Sequence, residues 1–134
     1  MTAFTPSSPT AAVPVSPHPL ADEYERAHLF FEAKDYAEAA RILAPVVEAE
    51  PAHLAARLLL ARSYYHSAQL NRAEAEARRV LDHAPAEAYA HLLLGRTLER
   101  QNRDGEAAPH LRLAAAMNGD YAQPAATVIH RPAA

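Results

Sequence analysis

The sequence predicts an all-α protein built from three stacked helical hairpins, and three observations support this fold class. Alanine, leucine, arginine and glutamate, which all favour helix, dominate the chain. Apolar residues recur three and four positions apart, which is the spacing of an amphipathic helix. The chain also repeats itself with a constant period, which is the separation of Pro51 and Pro85. A period of this length indicates similar units stacked side by side.

The composition argues against several classes of protein. The chain has 134 residues, so we expect a single domain. It contains no cysteine, which rules out disulfides and thiolate metal sites. Its formal charge of -3 gives no bulk positive field to attract nucleic acid. No signal peptide or membrane-spanning stretch is recognisable, so the sequence predicts a soluble cytoplasmic protein that contacts no membrane.

The composition changes along the chain and divides it into three parts. Residues 1–19 are rich in proline, alanine, serine and threonine and carry no charge, so we expect a disordered arm. Residues 20–121 carry the helical periodicity and divide into three repeats, at about 20–53, 54–87 and 88–121. Residues 122–134 form a short C-terminal tail. The predicted domain therefore has flexible ends.

Polar residues mark the expected ends of the helices. Asp35 with Glu38 three positions later predicts a helix start with a capping box. Two further pairs predict a helix start and a turn, respectively: Asn71 with Glu74, and Asp104 with Gly105. Asn118 followed by Gly119 predicts a helix C-terminal cap. Six helices of about 12 to 15 residues result.

Aligning the chain with itself at a shift of one period produces columns of similar residues. Two columns hold only small residues, namely Ala27, Ala61 and Gly95, and then Ala39, Ala73 and Ala107. Another column holds large apolar residues, namely Phe30, Tyr64 and Leu98. Antiparallel helices pack closely where a small residue lets the backbones approach, and bulky residues fill the space beside the contact. The columns therefore predict helical hairpins that must stack to bury their apolar faces.

The period and these columns resemble the tetratricopeptide repeat (TPR) family over roughly residues 20–121. That family has the pattern W-x2-L-G-x2-Y, then A-x3-F, then P, in a repeat of about 34 residues. Leu60-Ala61 with Tyr64 and Leu94-Gly95 with Leu98 match its first part. Ala39 with Leu43 and Ala107 with Leu111 stand at the A-x3-F spacing. The leading tryptophan is missing, since that column holds Glu23, Arg57 and His91.

The resemblance implies an α-α superhelix whose first helices line a concave groove that receives a peptide or a partner helix. Carried over position by position, the partner-binding residues are Tyr24, His28, Phe31, Arg62, Tyr65, His66, Tyr89, Arg96 and Arg100. Tyrosine and arginine are typical of interface hot spots, and arginine binds carboxylates bidentately. We therefore expect a protein-interaction module or adaptor that binds a segment of acidic character. The alternative is that these arginines form a solvated face, on which Arg62 and Arg96 pair with glutamates of adjacent repeats.

No pattern of catalytic or cofactor-binding residues is present, so we expect neither enzymatic activity nor a cofactor. The eight histidines include no pair four residues apart on one predicted helix and no metalloprotease motif, so no metal site is predicted. RNA binding is a remote third function, because the chain is acidic and has a single lysine, Lys34.

The end of the array offers a second hypothesis for function. The last helix carries Leu111, Leu113, Ala114 and Met117, and no clear capping helix follows. The C-terminal tail would partly cover this helix, or the helix would serve as a contact with other copies of the chain. The alternative function is therefore a self-assembling structural subunit, with weak homo-oligomers as its signature.

Overall fold

The computed structural model describes residues 19–122, and this part of the chain folds into six α-helices and no strand. The helices are α1 (Pro19–Glu32), α2 (Tyr36–Ala49), α3 (Leu54–His66), α4 (Leu70–His83), α5 (Ala88–Arg100) and α6 (Asp104–Met117). A short 3-10 turn, Gly119–Tyr121, follows α6. The predicted all-α fold of three hairpins is confirmed. Apart from Pro19 and Ala122, the predicted arm and tail lie outside the described residues.

Each helix packs mainly against the helix that precedes it and the helix that follows it. The small-residue columns lie at these contacts, because Ala27, Ala61, Ala39, Ala73 and Ala107 are at most 1% exposed. Contacts between α1 and α3 and between α3 and α5 bring the first helices of the three hairpins side by side. The sequence period therefore becomes a stack of hairpins with one shared face of first helices.

The turn inside each hairpin is built in the same way. In the first, the N–H groups of Lys34 and Asp35 donate to the carbonyls of Phe31 and Phe30, at 2.9 and 2.8 Å. This nested pair is a Schellman motif, which needs a residue in the left-handed conformation. That residue recurs once in each hairpin and is never glycine, with φ of 65° at Lys34, 62° at Ala68 and 64° at Asn102.

These turns correct two predicted boundaries. Asn71 does not start α4, which begins at Leu70 with Gln69 as its N-cap, because the turn at Ala68 sets the register. Asp104 and Gly105 do not form a turn, since they lie in the first turn of α6. The first predicted start is confirmed, because the Asp35 carboxylate accepts the Glu38 N–H at 3.3 Å.

The turn between repeats also recurs with the period of the sequence. The N–H groups of His53, Glu87 and Tyr121 donate to carbonyls three positions earlier, at 3.0, 3.0 and 2.9 Å. The predicted helix end is confirmed, because Asn118 is the C-cap of α6, but the predicted left-handed glycine cap is wrong. Asn118 ends α6 in an extended conformation, and Gly119 has no positive φ. These two residues instead begin an inter-repeat turn equivalent to those at Pro51 and Pro85.

Replacing Ala68 with glycine is expected to stabilise the fold by about 1 kcal/mol. A residue with a Cβ atom in the left-handed region is strained by roughly this amount, and glycine is not. Urea unfolding followed by circular dichroism measures the change. The matched control is Ala75→Gly in the middle of α4. This variant should lose about 1 kcal/mol of stability, because glycine weakens helix interiors. A loss of stability in both variants would contradict the role given to the turn.

The outer face of α1 is polar where the later first helices are apolar. Asp22, Glu25 and Arg26 occupy the positions that hold buried alanine and leucines in α3 and α5. Leu29 is 70% exposed, whereas Ser63 and Thr97, its equivalents, are fully buried. Polar outer faces are typical of terminal repeats. The first hairpin therefore resembles an N-terminal cap.

The predicted uncapped apolar face on α6 is only half right. Ala114 is fully buried, and Leu111 lies against Gly95 of α5. Leu113 and Met117 are 43% and 42% exposed, but they stand one period after Arg79 and His83, which are also exposed. They therefore belong to the outer surface of the stack and not to the face on which a further repeat would pack.

Candidate partner-binding groove

The predicted groove residues all lie on the first helices α1, α3 and α5. Of the nine, Phe31 is buried at 9% exposure, His66 and Arg100 are exposed, and the other six are half-buried. The three helices lie side by side, so a residue on one helix reaches the next helix across the shared face. This arrangement joins side chains that belong to different repeats of the sequence.

Arg62 of α3 lies at the centre of this face, between aromatic rings of the two neighbouring repeats. Its guanidinium carbon is 4.5 Å from the centroid of Phe31 on α1 and 5.5 Å from the centroid of Tyr89 on α5. A guanidinium over an aromatic face is favourable because the ring carries negative charge there. Arg62 forms no ion pair with the described residues, and its buried Nε has no hydrogen-bond partner among them.

A second cationic group, Arg100, lies at the end of α5. Its guanidinium carbon is 4.8 Å from the Tyr65 ring centroid, and its Nη1 donates to the Tyr65 carbonyl at 2.9 Å. His66 lies edge-on to both Tyr65 and Phe31. Partial burial, followed by the charges of Arg62 and Arg100, lowers the pKa of His66. The described charges around His66 therefore make the local potential positive.

Contacts join six of the nine predicted residues into one network: Phe31, Arg62, Tyr65, His66, Tyr89 and Arg100. Tyr24 and His28 form a separate pair on α1, with ring centroids 5.0 Å apart and the Tyr24 hydroxyl 3.3 Å from His28 Nε2. Burial is the main reason why the pKa of Tyr24 is raised.

Arg96 pairs with a glutamate, as the alternative expected, but this glutamate lies in its own repeat and not in an adjacent one. The Nη1 atom of Arg96 lies 3.1 Å from the Oε1 atom of Glu99, one turn later on the same helix. Arg96 thus has an acidic neighbour, which Arg62 and Arg100 do not have among the described residues. The cationic character of the groove therefore depends on Arg62 and Arg100 more than on Arg96.

Three further aromatic or imidazole side chains contact the network or the Tyr24–His28 pair, and sequence reasoning did not identify them. Tyr36, the first residue of α2, stacks on His66 with centroids 4.6 Å apart and lies 5.0 Å from Phe31. Tyr121 lies 6.0 Å from Tyr89, and His53 lies 5.1 Å from Tyr24. All three stand in or next to turns. A search for aromatic residues at the turns, as well as on first helices, would have found them.

Two classes of site are not found between residues 19 and 122. No cluster of three or more histidine, aspartate or glutamate side chains is arranged to hold a metal ion. No helix in this part of the chain has the length and hydropathy needed to cross a bilayer.

Comparison with solved structures shows the same fold in several proteins. MamA from Desulfovibrio magneticus RS-1 is 26% identical, with a TM-score of 0.70 over 75% of this chain and 57% of that chain. The Yersinia enterocolitica type III secretion chaperone SycD, in complex with a peptide of the translocator YopD, is 16% identical, with a TM-score of 0.72 over 85% and 86%. The Sgt2 TPR domain from Aspergillus fumigatus is 17% identical, with a TM-score of 0.71 over 84% and 74%.

Sequence comparison gives the family directly. No curated protein sequence matches the chain. The tetratricopeptide repeat profile, in contrast, matches residues 30–97, which span half of the chain. This match begins in α1 and ends in α5, so it covers the helices that carry most of the groove network. Together with the period, the six helices and the solved relatives, it establishes that the chain belongs to the tetratricopeptide repeat family.

Proposed function

We propose that this chain is a protein-interaction module that binds an acidic segment of a partner protein across the shared face of α1, α3 and α5. The observation that carries the proposal is Arg62, a cation without an acidic partner among the described residues, held between Phe31 and Tyr89. A buried polar atom without a partner calls for an explanation, and a missing ligand is one. A carboxylate from the partner would supply the acceptor that Arg62 lacks.

The distribution of charge supports an acidic ligand. Most other arginines among the described residues are already paired with glutamate, as Arg41, Arg78 and Arg103 show. Arg62 and Arg100 differ, because Arg62 lies on aromatic rings and Arg100 donates to a backbone carbonyl. A second carboxylate on the ligand would reach Arg100 without displacing an internal ion pair. Charge-assisted hydrogen bonds of this kind are stronger than neutral ones.

The aromatic side chains supply the apolar part of the contact. Tyr65 and Tyr89 are half-buried, so each presents part of a ring beside a cation. Tyrosine gives large contact area for little loss of conformational freedom. A segment that combines acidic and apolar residues therefore fits this face best. The structure of SycD with a YopD peptide shows that a protein of this fold accepts a peptide.

Replacing Arg62 with glutamine is expected to weaken binding by on the order of tenfold, because the ligand carboxylate loses its charged partner. Fluorescence polarisation would measure this with labelled peptides that mix glutamate and leucine. A second peptide set carries glutamine in place of glutamate. The matched control variant is Arg112→Gln, which removes an exposed cation from α6, away from the groove. It should bind as the natural protein does.

The test separates the acidic-groove proposal from its alternatives. Equal affinity for glutamate and glutamine peptides would refute the acidic ligand. Equal losses in the Arg62 and Arg112 variants would refute the groove as the site. Pull-down from the host lysate with the natural protein and the Arg62→Gln variant then identifies the partner. Salt-sensitive binding of single-stranded RNA in a gel shift would replace the proposal with nucleic-acid binding.

A further inference from the structure

The outer side of the stack, opposite the proposed groove, carries two cavities in equivalent positions. The first has a volume of about 390 Å³ and lies where α2, α3 and α4 meet. The second has a volume of about 230 Å³ and lies where α4, α5 and α6 meet. Every residue that lines the second cavity stands one period after a residue that lines the first. The two cavities are therefore the same structural position in successive repeats.

In each cavity a polar pair joins the two helices of a hairpin, and in the first cavity Glu76 also pairs with Arg79. In the first, Arg57 of α3 pairs with Glu76 of α4, with Nη1 and Oε1 2.7 Å apart. In the second, the equivalent residues are His91 of α5 and His110 of α6, with their Nδ1 atoms 3.1 Å apart. Arg57 and His91 each also contact the carbonyl of an inter-repeat proline, Pro51 at 3.4 Å and Pro85 at 2.8 Å. A histidine pair thus replaces an ion pair at the same junction.

The proline carbonyl determines how the histidine pair carries its protons. The Pro85 oxygen only accepts, so His91 Nε2 carries a hydrogen and donates it. In neutral His91 the Nδ1 atom then carries no hydrogen, and its lone pair accepts a hydrogen bond from the Nδ1–H of His110. When one of the two rings gains a proton, the other ring is still neutral and can carry its hydrogen on Nε2. A single hydrogen then lies between the two Nδ1 atoms, and the hydrogen bond is kept. A second added proton places a hydrogen on both Nδ1 atoms, and these two N–H groups then oppose each other.

We propose that the His91–His110 pair makes the packing of α5 against α6, and with it the third repeat, sensitive to mild acid. The pair holds the hairpin together while it is neutral or singly protonated. Double protonation places two like charges in a half-buried site and breaks the hydrogen bond between the rings. The Arg57–Glu76 pair holds the preceding hairpin without any group that titrates near neutral pH.

Burial of the pair, and then the positive charge beside it, favour loss of the second proton. The charged side chains that line the second cavity are Arg78 and Asp82, both on α4. The turn contributes Pro85, and the titratable side chains from α5 and α6 are the two imidazoles. The Arg78 guanidinium is held by Glu74. Burial, then the charges of His91 and Arg78, lower the pKa of His110. A histidine with a lowered pKa stabilises the fold above pH 6.5, and this contribution is lost as the pH falls through 6.5 towards the folded value.

The test compares unfolding by urea at pH 7.5 and pH 5.5 in full-length variants. His91→Arg with His110→Glu transplants the pair that the fold already holds at the preceding junction. His110→Gln keeps a hydrogen bond to His91 but removes one titrating group. Between pH 7.5 and pH 5.5, the folding equilibrium constant should fall more in the natural protein than in either pair variant. We expect the difference to be on the order of fivefold. The matched control is His83→Gln, an exposed histidine on α4, which should keep the full acid sensitivity.

Histidines outside the pair, such as His66, are present in the natural protein and in both pair variants, so their contributions cancel in the comparison. Equal pH dependence in the natural protein and in both pair variants would overturn the proposal. A nuclear magnetic resonance titration of His110 in the natural protein decides the question even if a variant does not fold. A His110 pKa at or above the value of a free histidine would overturn the proposal, and a lowered one supports it.

Discussion

Glu76→Ala is expected to destabilise the fold by about 3 kcal/mol, because it leaves a buried cation without its counter-ion. The side chain of Arg57 is 8% exposed and that of Glu76 is 13% exposed, so neither charge is well solvated. After the substitution Arg57 keeps only its 3.4 Å contact with the Pro51 carbonyl. Its Nε already has no partner among the described residues.

Urea unfolding followed by circular dichroism measures this effect. The double variant Arg57→Met with Glu76→Leu should recover most of the loss, since apolar residues of similar volume leave no charge buried. Glu23→Ala is the control, because the Glu23–Arg26 pair has side chains 44% and 46% exposed and such pairs contribute about 0.5 kcal/mol. A loss for Glu76→Ala no larger than for Glu23→Ala would show that burial adds nothing to the Arg57–Glu76 pair.

Gly95→Val is expected to lower the free energy of unfolding by about 3 kcal/mol, because the larger side chain pushes α6 away from α5. A Cβ atom at position 95 would lie 2.5 Å from Leu111 Cδ2 and 2.7 Å from Leu111 Cγ. It would also lie 3.4 Å from the carbonyl oxygen of Ala107, which belongs to the backbone and cannot turn aside. The two additional methyl groups of valine have no space to occupy in this contact.

The size of the new side chain should decide the outcome. Gly95→Ala is expected to change stability little, because alanine favours helix by about 1 kcal/mol and Leu111 can adjust its flexible end. The first repeat already holds Ala27 and Leu43 at the equivalent positions, both fully buried. Adding Leu111→Ala to Gly95→Val should restore part of the loss in a double-mutant cycle. If the stability losses of the two single variants simply add in the double variant, direct contact between residues 95 and 111 is not the cause of the loss.

The fold was predictable because its determinants recur in every repeat. The small columns containing Ala27 and Ala39 mark contacts between neighbouring helices, and each copy strengthens the assignment of the others. Local boundary signals performed less well. Asn71 with Glu74 suggested a helix start at Asn71. The left-handed turn at Ala68 instead fixes the actual start at Leu70. Such a turn has no sequence signature when the residue is alanine and not glycine.

The face shared by α1, α3 and α5, on which we propose the groove, was predictable in outline, since its residues follow from the period and the family resemblance. The charge state of individual residues was not. Arg62 and Arg96 look alike in the sequence, yet Arg96 pairs with Glu99 and Arg62 lies between two rings. Glu99 lies one turn from Arg96 on the same helix, whereas Phe31 and Tyr89 reach Arg62 from the neighbouring repeats. Tyr36 was missed for a related reason, because its column continues as Leu70 and Asp104 and keeps no common character.

The position of Arg62 between Phe31 and Tyr89 has a consequence for how the whole chain unfolds. Because each helix packs mainly on its neighbours in sequence, the hairpins form a linear series that can open from either end. Arg62 is a side chain that contacts the hairpins on both sides of its own. A ligand seated on it would touch all three hairpins at once and couple them energetically. Bound protein should therefore unfold in a single sharp transition, and its amide hydrogens should exchange at similar rates in all three hairpins.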